Sequence, residues 1–372
     1  MTTTRIDMLR LVAAPFLVLA VLFGIPSHSA VGGADLAGTA NGGGTILFER
    51  QNHWYTIAPD GTQLHMLLSS TAGCPDFGCA VFSPDGSQIM AAAQGADKKR
   101  ITIATVKTDG SGYHALPLPD ARLNLGPGAW TPDGNRVALG GWDDTNKARA
   151  GIYAVNASDG QGLFRLTTSP DGRNDDPVAY SPDGSRLLFF HEGAPGSQEP
   201  GFGGLFETTA TGSGRVKVNP PRTQVTGSFG SPASWSPDGK QITFTAFSTP
   251  TSGGRSAVFV EDANGTHRRR ITPWGEWSTS AHWSPDGTWI LFDKARPVAG
   301  EPHRLYLVHP NGTGLRAITS TSLGGVCCAV WSPDGKKLLL GGLLIMNRNG
   351  SRLFHLTPGD TKHETAEYAW GP

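Results

Sequence analysis

Trp235-Ser236-Pro237-Asp238-Gly239 and Trp283-Ser284-Pro285-Asp286-Gly287 repeat one pentapeptide 48 residues apart. Working outward from this pair, the same pattern stands at Phe82, Trp130, Tyr180 and Trp331, each followed by Ser-Pro-Asp-Gly or, after Trp130, by Thr-Pro-Asp-Gly. The intervals between aromatics are 48, 50, 55, 48 and 48 residues. A fixed period in this range marks a solenoid, an array or a propeller. Ser169-Pro170-Asp171-Gly172 is a further copy, but Thr168 holds the aromatic position and Ser181 follows only twelve residues later, so it stands outside the period.

The tetrapeptide has a mechanical reason to recur. Pro is preset for the second position of a type I turn, Ser or Thr suits the first and Gly the fourth. Residues 232–235 before one such turn and 241–245 after it read as strands, so each copy closes a hairpin. A second turn marker follows in each unit: Asp60-Gly61, Asp109-Gly110, Asp159-Gly160, Asn264-Gly265, Asn311-Gly312 and Asn349-Gly350, with Gly212-Ser213-Gly214 in the fourth unit. Such pairs tolerate positive φ and favour tight hairpins. Each unit therefore reads as four strands. Residues 45–48, 53–57 and 63–67 lack a first strand, and Glu367-Tyr368-Ala369-Trp370-Gly371-Pro372 at the C-terminus resembles one with a clipped turn. The expected fold is all-β: a seven-bladed β-propeller of four-stranded blades, its first blade closed by the C-terminal strand.

Composition agrees with many short strands. The 372 residues include 50 Gly and 27 Pro without a collagen period, and 31 Lys+Arg balance 31 Asp+Glu. A net charge of zero argues against a nucleic-acid partner and against a polybasic membrane patch. Ten Trp and sixteen Phe can build a large core, which argues against disorder. At the N-terminus Arg5 and Arg10 precede an apolar run over 11–25 and then Ser27-His28-Ser29-Ala30. That order is a secretory signal peptide, or an N-terminal anchor if it is not cleaved. The division expected is a signal over 1–30, a Gly-rich linker over 31–44 and the repeat domain over 45–372, exported to the periplasm or the exterior.

These repeats resemble those of the TolB-like propeller family. The resemblance rests on Trp-Ser-Pro-Asp-Gly, on third strands such as Leu305-Tyr306-Leu307-Val308 and Ile152-Tyr153-Ala154-Val155, and on the endings Leu166-Thr167, Ile271-Thr272, Ile318-Thr319 and Leu356-Thr357. It covers about 45–372. The separate α/β domain of TolB has no counterpart in it, so TolB's lipoprotein contacts are not implied. Similar repeats occur in prolyl-oligopeptidase-like and oligogalacturonate-lyase-like propellers, which keeps a polysaccharide-active enzyme as the alternative.

Loop lengths vary at the end of the strands opposite the tetrapeptides, chiefly over 140–151, 191–204, 247–256 and 293–303, and binding residues concentrate in such loops. Trp142, Trp274 and Trp277 lie outside the repeat pattern there, where an aromatic either packs or anchors a partner. Asp143, Asp144, His191, Glu192, Glu276, His282, Asp293 and Lys294 complete the candidate ligand- or partner-binding set. Asp171, Asp175 and Asp176 lack calcium-loop spacing and read as a solvated acidic loop. No Gly-x-Ser-x-Gly elbow occurs, no metal-ligand motif stands out among eleven His, and no cofactor is implied. Cys74, Cys79, Cys327 and Cys328 are disulfide candidates in an exported protein, with Cys74–Cys79 favoured over pairings that involve Cys327. The sequence thus suggests a monomeric, non-catalytic scaffold for a protein or glycan, with the polysaccharide-active enzyme as runner-up.

Overall fold

A computed structural model describes residues 43–51, 53–69, 80–94, 100–117, 119–120, 122–169, 171–193, 202–226, 233–248, 255–275, 278–294, 303–320, 329–356 and 368–372. The four cysteines, Glu276, Trp277 and the N-terminal targeting and linker segments, up to residue 42, lie outside these residues.

The aromatic residues do begin hairpins. Ser278–Trp283 pairs antiparallel with Ile290–Lys294, that strand with Arg304–Val308, and that with Arg316–Ala317. The turn between the first two is clipped by its own side chains. Ser284 Oγ donates to Asp286 Oδ1 at 2.6 Å, the Thr288 amide donates to the same oxygen at 3.0 Å, and the Trp289 amide donates to Ser284 Oγ at 2.9 Å. Gly287 closes the turn at φ 68°. The same bonds recur around Asp85, Asp133, Asp183, Asp238 and Asp334. The motif recurs because one carboxylate satisfies several donors that the turn would otherwise leave to water.

The Leu-Thr and Ile-Thr endings have an equally local cause. The hydroxyl oxygens of Thr167, Thr272 and Thr319 accept from the amides of Ile152, Val258 and Leu305, at 2.9, 3.0 and 2.9 Å. Each ties the end of a short outer strand to the start of the strand beside it. Apolar residues of successive repeat units then pack together. Leu188, Phe190, Trp235, Ile242 and Phe244, for example, form one buried cluster.

Strand pairing corrects the expected architecture. Five sheets have four strands each, including one in which Tyr368–Gly371 pairs with Thr45–Arg50. The fourth and fifth repeat units are instead one nine-stranded sheet, because Thr223–Thr226 pairs both with Phe202–Thr209 and with Gln241–Ser248. The described strands therefore form six antiparallel sheets, and none closes on itself. Seven separate four-stranded blades in a closed propeller are not what is found. The physical reason lies in the 55-residue interval, whose extra length supplies the bridging strand. Among the described residues no helix is long and apolar enough to cross a membrane.

Two turn glycines separate backbone strain from steric exclusion. Gly184 has φ 71° and a Cβ there would stand 3.4 Å from Pro132 Cδ, an ordinary contact. Gly212 has φ 87° and a Cβ there would collide with the Leu166 carbonyl oxygen. Gly184→Ala is expected to cost about 1–2 kcal/mol from the left-handed backbone alone. Gly212→Ala should cost clearly more, and equal urea midpoints for the two variants would contradict the packing of that turn.

The clipped carboxylates also give an acid sensitivity. Hydrogen bonds from the Ser83 and Ser181 hydroxyls, then from the amides of Ser87 and Ser185, hold the pKa of Asp85 and of Asp183 at about 2. The unfolded chain takes up these protons near pH 4, the ordinary aspartate range of about 3.9. Their contribution is therefore full above that range and is lost as pH falls toward 2. Each carboxylate is exposed, so each term is small. Urea midpoints should fall between pH 4 and pH 2, and Asp183→Asn should flatten that fall.

Candidate functional site

The loop ends of the third and fourth repeat units carry a connected polar network. Asp175 begins the strand Asp175–Tyr180 and stands opposite His191 on Arg186–Glu192. Far from being solvated, Asp175 is 1% exposed. Its Oδ1 lies 2.7 Å from His191 Nδ1, and its Oδ2 accepts from the Thr167 hydroxyl at 2.7 Å and from Arg215 Nη1 at 3.3 Å. Burial of a carboxylate is tolerated where donors surround it, and here both oxygens are engaged. Thr167 is the strand-end threonine already bonded to Ile152, so an element of the repeat framework is reused to seat the acid.

The other ring nitrogen of His191, Nε2, lies 3.2 Å from Asp171 Oδ2. Asp171 belongs to the tetrapeptide copy outside the period, and it is held like its periodic counterparts. Ser169 Oγ donates to Asp171 Oδ1 at 2.8 Å, the Arg173 amide donates to it at 3.2 Å, and Gly172 has φ 70°. Burial alone would raise the Asp171 pKa, but bonds from Ser169 and Arg173 and the neighbouring His191 and Arg173 charges hold it below the usual carboxylate value. The Arg215 guanidinium also lies 5.0 and 4.4 Å from the ring centres of Phe189 and Phe206, and Phe206 meets His191 edge-on at 5.8 Å.

A second network adjoins this one. Asp143 accepts from the Thr145 amide and hydroxyl, from the Asn146 amide and from Arg149 Nη1, the last at 2.9 Å. These bonds, the Thr145 hydroxyl first, bring its pKa to about 2. Arg149 also pairs with Asp120, while Asp144 Oδ2 accepts from Asn124 Nδ2 at 3.2 Å. Gly172 leaves no room for a Cβ against Lys147 of the short helix Lys147–Arg149, and Arg165 Nη2 donates to the Ala148 carbonyl at 3.0 Å. Those contacts join the Asp143 loop to the turn that carries Asp171.

The remaining sequence candidates fall elsewhere. Trp142 ends the strand Arg136–Trp142, where it pairs with Asn124. Glu192 is exposed, and its amide donates to the Asn174 carbonyl. Trp274 packs edge-on against Phe259 at 5.8 Å with the Arg270 guanidinium 5.7 Å from its ring. His282, Asp293 and Lys294 share the sheet of Ser278–Trp283 and Ile290–Lys294. Burial pushes the His282 pKa below the ordinary histidine value, opposed by the charge of Asp293. Asp293 is 2% exposed, and among the described residues neither carboxylate oxygen has a hydrogen-bond partner, with His303 Nδ1 at 3.8 Å. The Lys294 ammonium lies 5.8 Å from the Tyr306 ring centre. Among the described residues no three His, Cys, Asp or Glu side chains form a group suited to a metal ion.

Sequence reasoning found His191 but missed Thr167, Asp175 and Arg215 as its partners. The signal for Thr167 was its place in the recurring strand ending. Arg215 carried none, being 40 residues from Asp175.

No family model and no curated protein matches this chain. Solved structures do. An oligogalacturonate lyase in complex with manganese matches with a TM-score of 0.60 and 15% identity, over 86% of this chain and 82% of that one. An oligogalacturonate lyase from Vibrio parahaemolyticus matches with 0.55 and 14%, over 78% and 79%. TolB from Acinetobacter baumannii matches with 0.49 and 20%, over 86% and 79%. The TolB likeness is thus too weak to support the resemblance drawn from the repeats, and the sheet pairing does not supply the closed propeller that it implied. The expectation of a non-catalytic protein is corrected as well, because the likeness at the higher TM-scores runs to catalytic lyases. At these identities the likeness is one of fold: all-β, distantly similar to both groups.

Proposed function

We propose that this chain is a polysaccharide-active enzyme, with its site at the loop ends of the third and fourth repeat units and His191 as the proton-transferring residue. One observation carries the reading: a buried, fully engaged Asp175 fixes Nδ1 of His191 and leaves Nε2 at the edge of the site. A carboxylate behind an imidazole sets its tautomer and orientation, which is what a general acid or base requires. The shared fold with oligogalacturonate lyases supports a glycan as substrate. Arg173 and Arg215 flank the site, each paired with one of its carboxylates. The basic, apolar and small-residue order of the N-terminal segment supports export, so the polymer would be met outside the cytoplasm.

The test is a product assay on purified protein with a panel of uronic-acid and neutral polysaccharides, read as new reducing ends and as absorbance of unsaturated products. Chain cleavage of at least one polymer is expected, with uronic-acid polymers preferred. No cleavage of any, across pH and with divalent cations supplied, would overturn the reading.

A further inference from the structure

The tetrapeptide Ser169-Pro170-Asp171-Gly172 has no role in the repeat, yet it forms the same clipped turn. In the periodic copies the clip serves the hairpin that it closes. Here the turn precedes the strand Asp175–Tyr180, and the second oxygen of its carboxylate meets Nε2 of His191. The ring is therefore held between two carboxylates, 2.7 Å from Asp175 at Nδ1 and 3.2 Å from Asp171 at Nε2.

An ionised carboxylate only accepts hydrogen bonds, and a neutral imidazole has one donor. Two such contacts are satisfied together only when both ring nitrogens carry protons. Both acids already accept from other donors, Asp175 from Thr167 and Arg215, and Asp171 from Ser169 and the Arg173 amide. Charged groups around the ring are Asp171 and Asp175 against Arg173 and Arg215, the latter two each paired with one of these acids. These four charges cancel without the ring, so its two protons are required by the two hydrogen bonds and not by charge balance.

We infer that Asp171 is a positioning residue, tethered by a duplicated turn, that holds His191 doubly protonated with its Nε2–H presented at the loop end of the site. Resting on the reading of His191 as the proton-transferring residue, this makes His191 a proton donor at the start of the reaction. When a ligand oxygen takes the place of Asp171, the Nε2–H bond breaks and the proton passes to that oxygen. The ring is left neutral, with its lone pair on Nε2 and its Nδ1–H still on Asp175.

Nitrogen-15 NMR of the histidine side chains in ligand-free protein at neutral pH tests the inference without any substrate. His191, assigned by loss of its signals in His191→Gln, should show both ring nitrogens protonated. In Asp171→Ala its Nε2 should move to the unprotonated range in most molecules while the circular dichroism spectrum is unchanged. Ser169→Ala, which loosens the tether and keeps the carboxylate, should fall between the two. A wild-type ring with one protonated nitrogen would overturn the inference, as would a ring unchanged by Asp171→Ala. Polysaccharide cleavage speaks to the enzymatic reading alone, so the two failures are distinguishable.

Discussion

Phe244→Ala is expected to destabilise the folded chain by about 3–5 kcal/mol, the range for emptying a buried aromatic site. Phe244 is 0% exposed and stacks on Phe259 at 5.6 Å with the ring planes 7° apart. It lies on Gln241–Ser248, the strand that the bridging segment Thr223–Thr226 joins to the rest of the nine-stranded sheet. Backbone on both sides is fixed by ladder hydrogen bonds, so the site cannot collapse around the missing ring, and the cavity term stays in full. Leu64→Ala supplies the contrast: Leu64 is 53% exposed, and its truncation should shift stability by no more than about 0.5 kcal/mol. Urea unfolding of the two variants measures both values. A Phe244→Ala shift below about 1 kcal/mol would show that the nine-stranded sheet is not packed as described.

What the sequence made legible was local, and what it hid was not. The six clipped turns could be read because Ser, Pro, Asp and Gly each act within five residues of one another. The threonines at strand ends were visible as a recurrence before their hydrogen bonds gave it a cause. The bridging strand Thr223–Thr226 was hidden because its four residues, Thr-Gln-Val-Thr, show no more alternation than a loop. Only an interval longer than its neighbours hinted at it. Counting units by their aromatics therefore gave seven sheets, whereas hydrogen bonding across that segment made two of them one.

The site follows the same rule. His191 drew notice as a polar residue at a strand end, but its meaning depends on Asp175 across the hairpin, on Thr167 from the preceding unit and on Arg215 from an outer edge. Charge spacing around Asp171 and Asp175 suggested a solvated loop, because sequence cannot tell that pairing takes one of these acids out of water. The tetrapeptide outside the period was itself a clue. It makes the same side-chain clip between two sheets, where it closes no hairpin.

His191→Gln is expected to lower kcat on a cleaved polysaccharide by about 10²- to 10⁴-fold, the usual contribution of a positioned acid or base. That is about 3–5 kcal/mol of barrier, while KM should move little if the ring acts on the reacting atoms rather than on binding. Gln keeps a donor near the place of one ring nitrogen, so Asp175 would not be left without any partner and the fold should survive. Asp175→Asn should lose part of the same rate, because Thr167 and Arg215 remain but the ring is no longer fixed by a charge. His267→Ala serves as the reference. That imidazole is 79% exposed beside Asp262 on a turn, and its loss should leave kcat within twofold. Steady-state rates of the three variants on one polymer decide the matter. Equal rates for His191→Gln and His267→Ala would remove His191 from the chemistry, whatever polymer is cleaved.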